Sequence, residues 1–433
     1  MKIDRARDGA AARNPSHGPL GMIRGRPSGK TGTTAVSAIQ SEQRPGRDPA
    51  GTALERLVDR FDPTVFDVGR SVARIRVEDG NAHDVVLEDG TARMESPRGT
   101  PDAVLSADDA TWSAIAEDVR GGMQAFRKGR LKIRRDLHLG VGFLAATALP
   151  QAEGRLRIRH VDTAAGGVST IEAGTGEPVL LLHGLGATKA SFLPTLDALA
   201  PDYRAIAVDL PGFGDSDKPL FGAYDPPFFA HAMTALLDAL ELDSAHVVGN
   251  SMGGRVALEL GLSHADRVRR LVLLAPSMSW LKPRPWAPYL RLIPTQLGVF
   301  QPTPRALVEM IVKQFIPRSD TEWTAAGVDE FMRAYLTPLG RAAFYAAARN
   351  IYLEEPRGPN GLWTRLGSLT PEALFVWGRR DNVVPIGFAR HVKEELPGAR
   401  HLTLDCGHVP QLERPRQTHR AMARFLATGR ADG

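Results

Sequence analysis

Two kinds of hydrophobic pattern divide the chain. Up to about residue 106 apolar and polar positions change over in short runs: Val72, Ile75 and Val77 within 71–78, then 85–88, 91–96 and 103–106. Asp-Gly pairs at 79–80 and 89–90 punctuate them, so the runs predict strands joined as an antiparallel meander. Leu54, Leu57, Val58 and Phe61 form a helical stripe before them. After them Trp112, Ile115, Val119, Met123 and Phe126, spaced 3, 4, 4 and 3, predict an amphipathic helix opened by Ser106 or Asp108. Gly121-Gly122 interrupts that stripe and predicts two pieces. A strand over 129–133 and an apolar stretch over 137–149 complete a small α+β domain at 51–150.

From Leu156 the pattern is different. An alternating edge strand (Leu156, Ile158, His160) and a second at 168–172 lead into continuous apolar runs at 179–183, 205–208, 246–248, 271–274, 374–377 and 401–404. Such runs mark strands buried on both faces. Helical stretches at 191–200, 228–240, 252–263, 386–396 and 415–427 separate them. Alternating helices and buried strands predict a doubly wound, mostly parallel α/β sheet over 151–433. The alternation is suspended over 277–365, where a helical cap is expected.

Composition refines this picture. The net charge of +5 resides in residues 1–50, which hold nine Lys/Arg against four Asp/Glu; the rest balances at 45 each. No nucleic-acid groove is indicated. The Arg-, Gly-, Ser- and Pro-rich tail has no period and is expected to be disordered and solvated; the alternatives for so basic a tail are transient contact with an anionic membrane surface or nucleic acid, and an Arg-rich organelle transit peptide. Its Gly25–Thr31 stretch mimics a phosphate loop but is one residue short and follows no strand. Gly140–Ala145 likewise lacks the strand and acidic residue of a dinucleotide site. No apolar run reaches the ~18 residues of a membrane span. With one cysteine, Cys406, no internal disulfide exists, and the chain is read as cytoplasmic.

Candidate chemistry centres on Gly249-Asn-Ser251-Met-Gly253, at the end of a buried run and the start of a helix. G-x-S-x-G is the strand-to-helix turn that presents a serine nucleophile. Acyl chemistry also needs a base, an acid to hold it and donors for an oxyanion. His408, after the last strand, is the candidate base, and Asp381, after the penultimate strand, the candidate acid. Asp405 is its rival. The N–H groups of Leu185, in His183-Gly-Leu-Gly186, and of Met252 are the candidate oxyanion donors. Cys406 is read as a buried thiol. No metal-ligand spacing occurs, and no cofactor is expected.

The order Ser251…Asp381…His408 resembles the α/β-hydrolase superfamily over about 270 residues. His183-Gly-Leu-Gly, Asp209-Leu-Pro-Gly-Phe-Gly-Asp-Ser216, Gly378-x-x-Asp381 and Gly407-His408-x-Pro-x-x-Glu413 also match its motifs. Serine at the elbow argues against the epoxide hydrolases and dehalogenases, which carry aspartate there. Residues 51–150 resemble the sterol-carrier-protein family through Pro101–Leu105 and Ala125-Phe-Arg-Lys-Gly-Arg-Leu-Lys-Ile133, with Arg134-Arg135 departing from its usual glycine. That resemblance implies a lipid-binding module with no catalytic residues of its own.

Four of six tryptophans fall in 277–365 (Trp280, Trp286, Trp323, Trp363), which predicts an apolar wall over the serine. Three readings follow. The first is a serine hydrolase of an ester or thioester with an apolar tail, served by a lipid-binding domain. The second is a carbon–carbon hydrolase or cofactor-free perhydrolase, and the third a non-catalytic lipid-transfer protein. The sequence leaves oligomeric state open.

Overall fold

Thirteen strands form two sheets in a computed structural model that describes residues 49–430 apart from 79, 151, 283, 286, 301–303, 305, 308–309 and 311–320. The basic tail expected at 1–50 lies outside these residues except at its end, where Pro49 already opens the helix Pro49–Asp59. Proline suits a helix start because the N–H it lacks has no intrahelical partner there.

The first sheet holds β1 (Ser71–Val77), β2 (Ala82–Glu88), β3 (Thr91–Glu95), β4 (Ala103–Ala107) and β5 (Lys132–Arg134) in the order β3-β2-β1-β4-β5. The hairpins β1–β2 and β2–β3 form as the Asp-Gly signals predict, but the pure meander does not. β4 lies parallel to β1, with Ala73 opposite Ala103 and Ile75 opposite Leu105. The link over 96–102 is too long for a tight hairpin and crosses the sheet instead. Buried Asp84 pins it, accepting from Arg74 Nε at 2.7 Å and from the Arg98 N–H at 2.8 Å, while Arg74 also donates to the carbonyls of Arg98 and Gly99.

The long amphipathic stripe is two helices, Asp109–Ala116 and Met123–Arg127, because Gly121 and Gly122 both take positive φ. Asp108 caps the first through the Thr111 N–H at 2.6 Å. Trp112 is fully buried and still satisfied, its indole donating to Arg76 O at 3.1 Å. Helix Leu137–Ala146, capped by Asp136, closes this layer.

The second sheet runs β13-β12-β11-β10-β8-β9-β7-β6. Its strands are β6 (Arg157–Thr163), β7 (Gly166–Ala173), β8 (Glu177–Leu182), β9 (Tyr203–Val208), β10 (Ala245–Asn250), β11 (Val268–Leu274), β12 (Glu372–Gly378) and β13 (Arg400–Leu404). The pairs β6–β7 and β7–β9 are antiparallel and the others parallel, so this is the mostly parallel α/β sheet that the apolar runs predict. Helices Leu193–Leu199, Pro226–Ala239, Met252–Ser263, Phe388–Glu395 and Pro415–Thr428 accompany it. Between β11 and β12 the described elements are helical: Ala287–Leu292, Thr295–Phe300, Thr321–Tyr335, Pro338–Leu353 and Leu362–Leu366. None of the described helices is long and apolar enough to cross a membrane.

The two sheets share a core. One continuous apolar cluster contains Leu54, Trp112, Phe126 and Leu144 together with Ile171, Leu193, Leu196, Leu374 and Phe425. At this seam the fully buried Asp197 carboxylate faces Arg127 Nε at 2.5 Å and Arg120 Nη1 at 3.2 Å.

Two histidines, His419 buried and His401 half-buried, give the stability a pH dependence. Burial lowers His419 to about 4, with Arg127 adding to the effect, and its Nε2 lies 2.9 Å from Thr195 Oγ1. Burial likewise lowers His401 to about 4, aided by Lys393, and its Nδ1 accepts from the Trp377 indole at 3.0 Å. In the unfolded chain each titrates near ~6.5. Their stabilising effect is therefore complete above that pH and is lost as pH falls towards about 4. Thermal unfolding should move to lower temperature between pH 7.5 and 5; a melting temperature constant over that interval would contradict this.

Candidate active site

β10 delivers Ser251 at its C-terminal end, and helix Met252–Ser263 begins with the next residue. Ser251 has φ 53° and ψ −116°, a strained conformation for a side chain with a Cβ. The strain is enforced by close packing on either side. A Cβ on Gly249 would stand 2.2 Å from Gly253 O, and one on Gly253 would stand 2.1 Å from Leu182 O. Glycine at both positions is a steric necessity, and the turn is closed further by Ser251 N–H donating to Leu274 O at 3.0 Å.

Ser251 Oγ lies 2.8 Å from His408 Nε2, and His408 Nδ1 lies 2.8 Å from Asp381 Oδ2. The other Asp381 oxygen accepts from Val383 N and Val384 N at 2.8 and 2.9 Å. With that carboxylate accepting, Nδ1 carries the proton and Nε2 is left as the acceptor for the serine hydroxyl. Asp381 and His408 are both buried, while Ser251 is partly open. The relay therefore meets solvent at its nucleophile end.

Asp405, the rival acid, is exposed and pairs with Arg380 at 2.8 Å. Cys406 is fully buried, and burial together with Glu413 pushes its thiol up to about 12. It is held as a thiol, unsuited to attack.

The loop bearing Leu185 runs against the serine: a Cβ on Gly184 would meet Ser251 Cβ at 3.2 Å. His183 fixes this loop. It is fully buried, its Nδ1 lies 2.7 Å from Gly184 O, and its Nε2 accepts the Leu210 N–H at 3.0 Å. Burial lowers its pKa, in keeping with a neutral ring that donates at one nitrogen and accepts at the other. Met252 N–H is the first of its helix, where no earlier turn supplies an acceptor.

Several residues that position the site escape periodicity. Asn250 donates Nδ2 to Leu274 O at 2.9 Å and His408 O at 3.1 Å, tying the histidine loop to the sheet. Buried Glu413 accepts from Gly407 N at 2.8 Å and Val409 N at 3.1 Å, bracketing His408 from both sides. The motif containing Glu413 was legible, but its two hydrogen bonds were not.

A second network lies behind the Leu185 loop. Lys189, buried, sets Nζ 2.5 Å from Asp209 Oδ2 and 2.8 Å from Asp215 Oδ2, and Asp209 also accepts Lys189 N–H at 2.7 Å. Burial alone would lower the Lys189 ammonium, but the two carboxylates outweigh it and hold it charged. Asp215 further meets Arg333 Nη1 at 2.7 Å and His138 Nδ1 at 3.0 Å. Burial opposes its ionisation, and Lys189, His138 and Arg333 together hold its carboxyl well below the usual range. Asp329 accepts from Arg134 Nε and Arg135 N at 3.0 and 3.1 Å. Helix Thr321–Tyr335 is thus gripped by the N-terminal layer on one side and the Leu185 loop on the other.

The aromatic loading of 277–365 divides. Phe331, Tyr335 and Phe344 form one cluster, with ring centroids 5.0–5.9 Å apart, and a Cβ on Gly186 would meet the rings of Phe331 and Phe344. This cluster packs on the Leu185 loop at Gly186. Trp363 stacks on Phe388 at 6.1 Å and donates to Ser279 O, and is core. Tyr289 and Phe300 are exposed. Trp286 and the side chain of Trp323 lie outside the described residues.

Residues 177–415 match the alpha/beta hydrolase fold family and residues 54–144 the SCP-2 sterol transfer family. The chain is 29% identical over 276 residues to a 2-hydroxy-6-oxo-6-phenylhexa-2,4-dienoate hydrolase of Burkholderia cepacia, covering 60% of this chain and 90% of that protein. It is 32% identical over 284 residues to a 2-hydroxy-6-oxononadienedioate/2-hydroxy-6-oxononatrienedioate hydrolase of Burkholderia vietnamiensis, covering 63% and 91%. An enol-lactonase structure from Burkholderia xenovorans superimposes with a TM-score of 0.52 at 21% identity, over 62% of this chain and all of that one, a likeness of fold alone.

Proposed function

We infer the function from one premise, that this chain belongs to the alpha/beta hydrolase fold family: it is a serine hydrolase that uses Ser251 as nucleophile, His408 as base and Asp381 as the acid orienting it. The observation that carries this is the continuous Asp381–His408–Ser251 relay, with 2.8 Å at both links. Ser251 Oγ attacks a carbonyl carbon while His408 Nε2 takes its proton. The tetrahedral oxyanion forms between the N–H groups of Leu185 and Met252. His408 then returns the proton to the leaving group, and water releases the acyl group from Ser251 by the same steps. Each oxyanion donor stabilises the transition state by about 2.7–4 kcal/mol where this has been measured.

The substrate reading is an ester or thioester with an apolar part, supported by the Phe331–Tyr335–Phe344 cluster over the Leu185 loop. Residues 51–150 act as a lipid-binding module beside it, a reading supported by the SCP-2 family match. A single buried thiol, Cys406, suits a reducing, cytoplasmic setting. A second reading, hydrolysis of a carbon–carbon bond next to a ketone, is favoured by the two dienoate-type relatives.

Two substrate series separate them. On the first reading p-nitrophenyl esters give a stoichiometric burst of nitrophenol, and kcat/KM rises with acyl chain length. Turnover of 2-hydroxy-6-oxo-6-phenylhexa-2,4-dienoate, followed by loss of its visible absorbance, at a kcat/KM above that of every ester would overturn the ester reading in favour of the second. Mass spectrometry of organic extracts of the full chain tests the lipid assignment.

A further inference from the structure

One face of the helical insertion turns large apolar side chains outward. Helix Ala287–Leu292 and the turn Thr295–Phe300 lie across helix Pro338–Leu353. Arg341 Nη2 donates to Val299 O at 2.6 Å and Arg349 Nη1 to Ile293 O at 2.7 Å, and Gly298 is pressed against the backbone of Arg341 and Ala342. From this saddle Leu292 (80%), Phe300 (79%), Tyr289 (64%) and Leu297 (53%) stand exposed, with Leu336 and Leu339 exposed at the near end of the supporting helix. An outward cluster of this size marks a surface that meets something apolar.

The charge of this face narrows what it meets. From Ser277 to Phe300 the sequence holds Lys282, Arg284 and Arg291 and no acidic residue. Arg284 donates to the carbonyls of Tyr352 and Glu354, and Arg341 and Arg349 also donate to carbonyls, so these three guanidinium groups hold the saddle through neutral oxygens and keep their positive charge. Arg291 pairs with Glu355 at 3.1 Å, and Glu354 is held by buried Arg255. Pairing the face with a second copy of itself would bring cations against cations.

We propose that this face docks on an anionic lipid bilayer. Tyr289, Leu292, Leu297 and Phe300 enter the boundary between headgroups and acyl chains, while the exposed Lys282 and Arg291 meet lipid phosphates and the carbonyl-bound arginines add positive charge behind them. Aromatic and leucine side chains framed by basic residues on short helices are the composition of segments that lie in the membrane interface, and each basic residue near such a surface adds to the attraction. The inference is independent of which bond the enzyme cleaves.

The test is co-sedimentation of the full chain with vesicles of equal phosphatidylcholine and phosphatidylglycerol, against phosphatidylcholine alone. The wild type is expected to bind the mixed vesicles, and L292S/F300S to lose about tenfold or more in binding at an unchanged melting temperature. Lys282→Glu, an exposed change that keeps the fold, is expected to weaken binding to the mixed vesicles by about tenfold. Full binding by both variants would assign attachment to the basic tail and overturn the proposal. So would failure of the wild type to bind, or a dimer in light scattering that L292S/F300S dissociates without any vesicle binding.

Discussion

Replacing Ser251 with alanine is expected to abolish labelling by a fluorophosphonate probe and to lower kcat by about 10⁶-fold, leaving the fold intact. The magnitude follows from how serine relays behave: removing the nucleophile alone costs about as much as removing the whole relay, because its members act as a unit. His408→Ala should fall within about tenfold of Ser251→Ala, and the double variant should lose little more. Ser251 is partly open and its φ of 53° is imposed by the glycines around it, so losing the hydroxyl removes no structural support. Labelling that persists in Ser251→Ala, or activity within tenfold of wild type, would remove Ser251 from the chemistry.

Asp209→Ala should be the most destabilising single change outside the apolar core, at about 3–5 kcal/mol in urea unfolding. Asp209 is fully buried and accepts from Lys189 Nζ, Lys189 N and Asp215 N. Its loss leaves Lys189 buried with only Asp215 to face it. Removing one member of a buried pair costs far more than removing both, so Lys189→Met combined with Asp209→Leu should recover much of the loss. A double variant no more stable than Asp209→Ala would show that the cost lies in the loop's hydrogen bonds instead of the stranded charge. Catalysis should fall with Asp209→Ala as well, because the Lys189 network backs the loop that carries Leu185.

What could be read from the sequence depended on the range of the interaction concerned. The buried runs at 179–183 and 246–248 identified themselves because a strand covered on both faces has no polar positions to interrupt it. Ser251 and the glycines at 249 and 253 were readable because the elbow is a local steric solution, and steric solutions leave fixed spacings. The parallel placement of β4 beside β1 was not readable: the Arg74–Asp84 pair that pins the crossing joins residues ten apart and carries no periodic signal. Lys189, Asp215, His138 and Arg333 were invisible as a group for the same reason, since only the folded chain brings them together. The aromatic insertion misled in part. Composition reported its apolar content, but whether a ring faces inward like Phe331 or outward like Phe300 is decided by the helix it packs on.

The apolar cluster that runs from Trp112 and Phe126 to Leu193 and Phe425 has a consequence for how this protein is taken apart. A linker that tethers independent beads can be cut; a seam closed by common side chains and by Asp197 beneath two arginines cannot. Excising either half would strip the other of its lining, and the remnant would expose a raw apolar wall where a finished surface should be. The two halves are therefore expected to melt as a single cooperative body, so the contribution of the N-terminal half must be read from point changes within the intact chain.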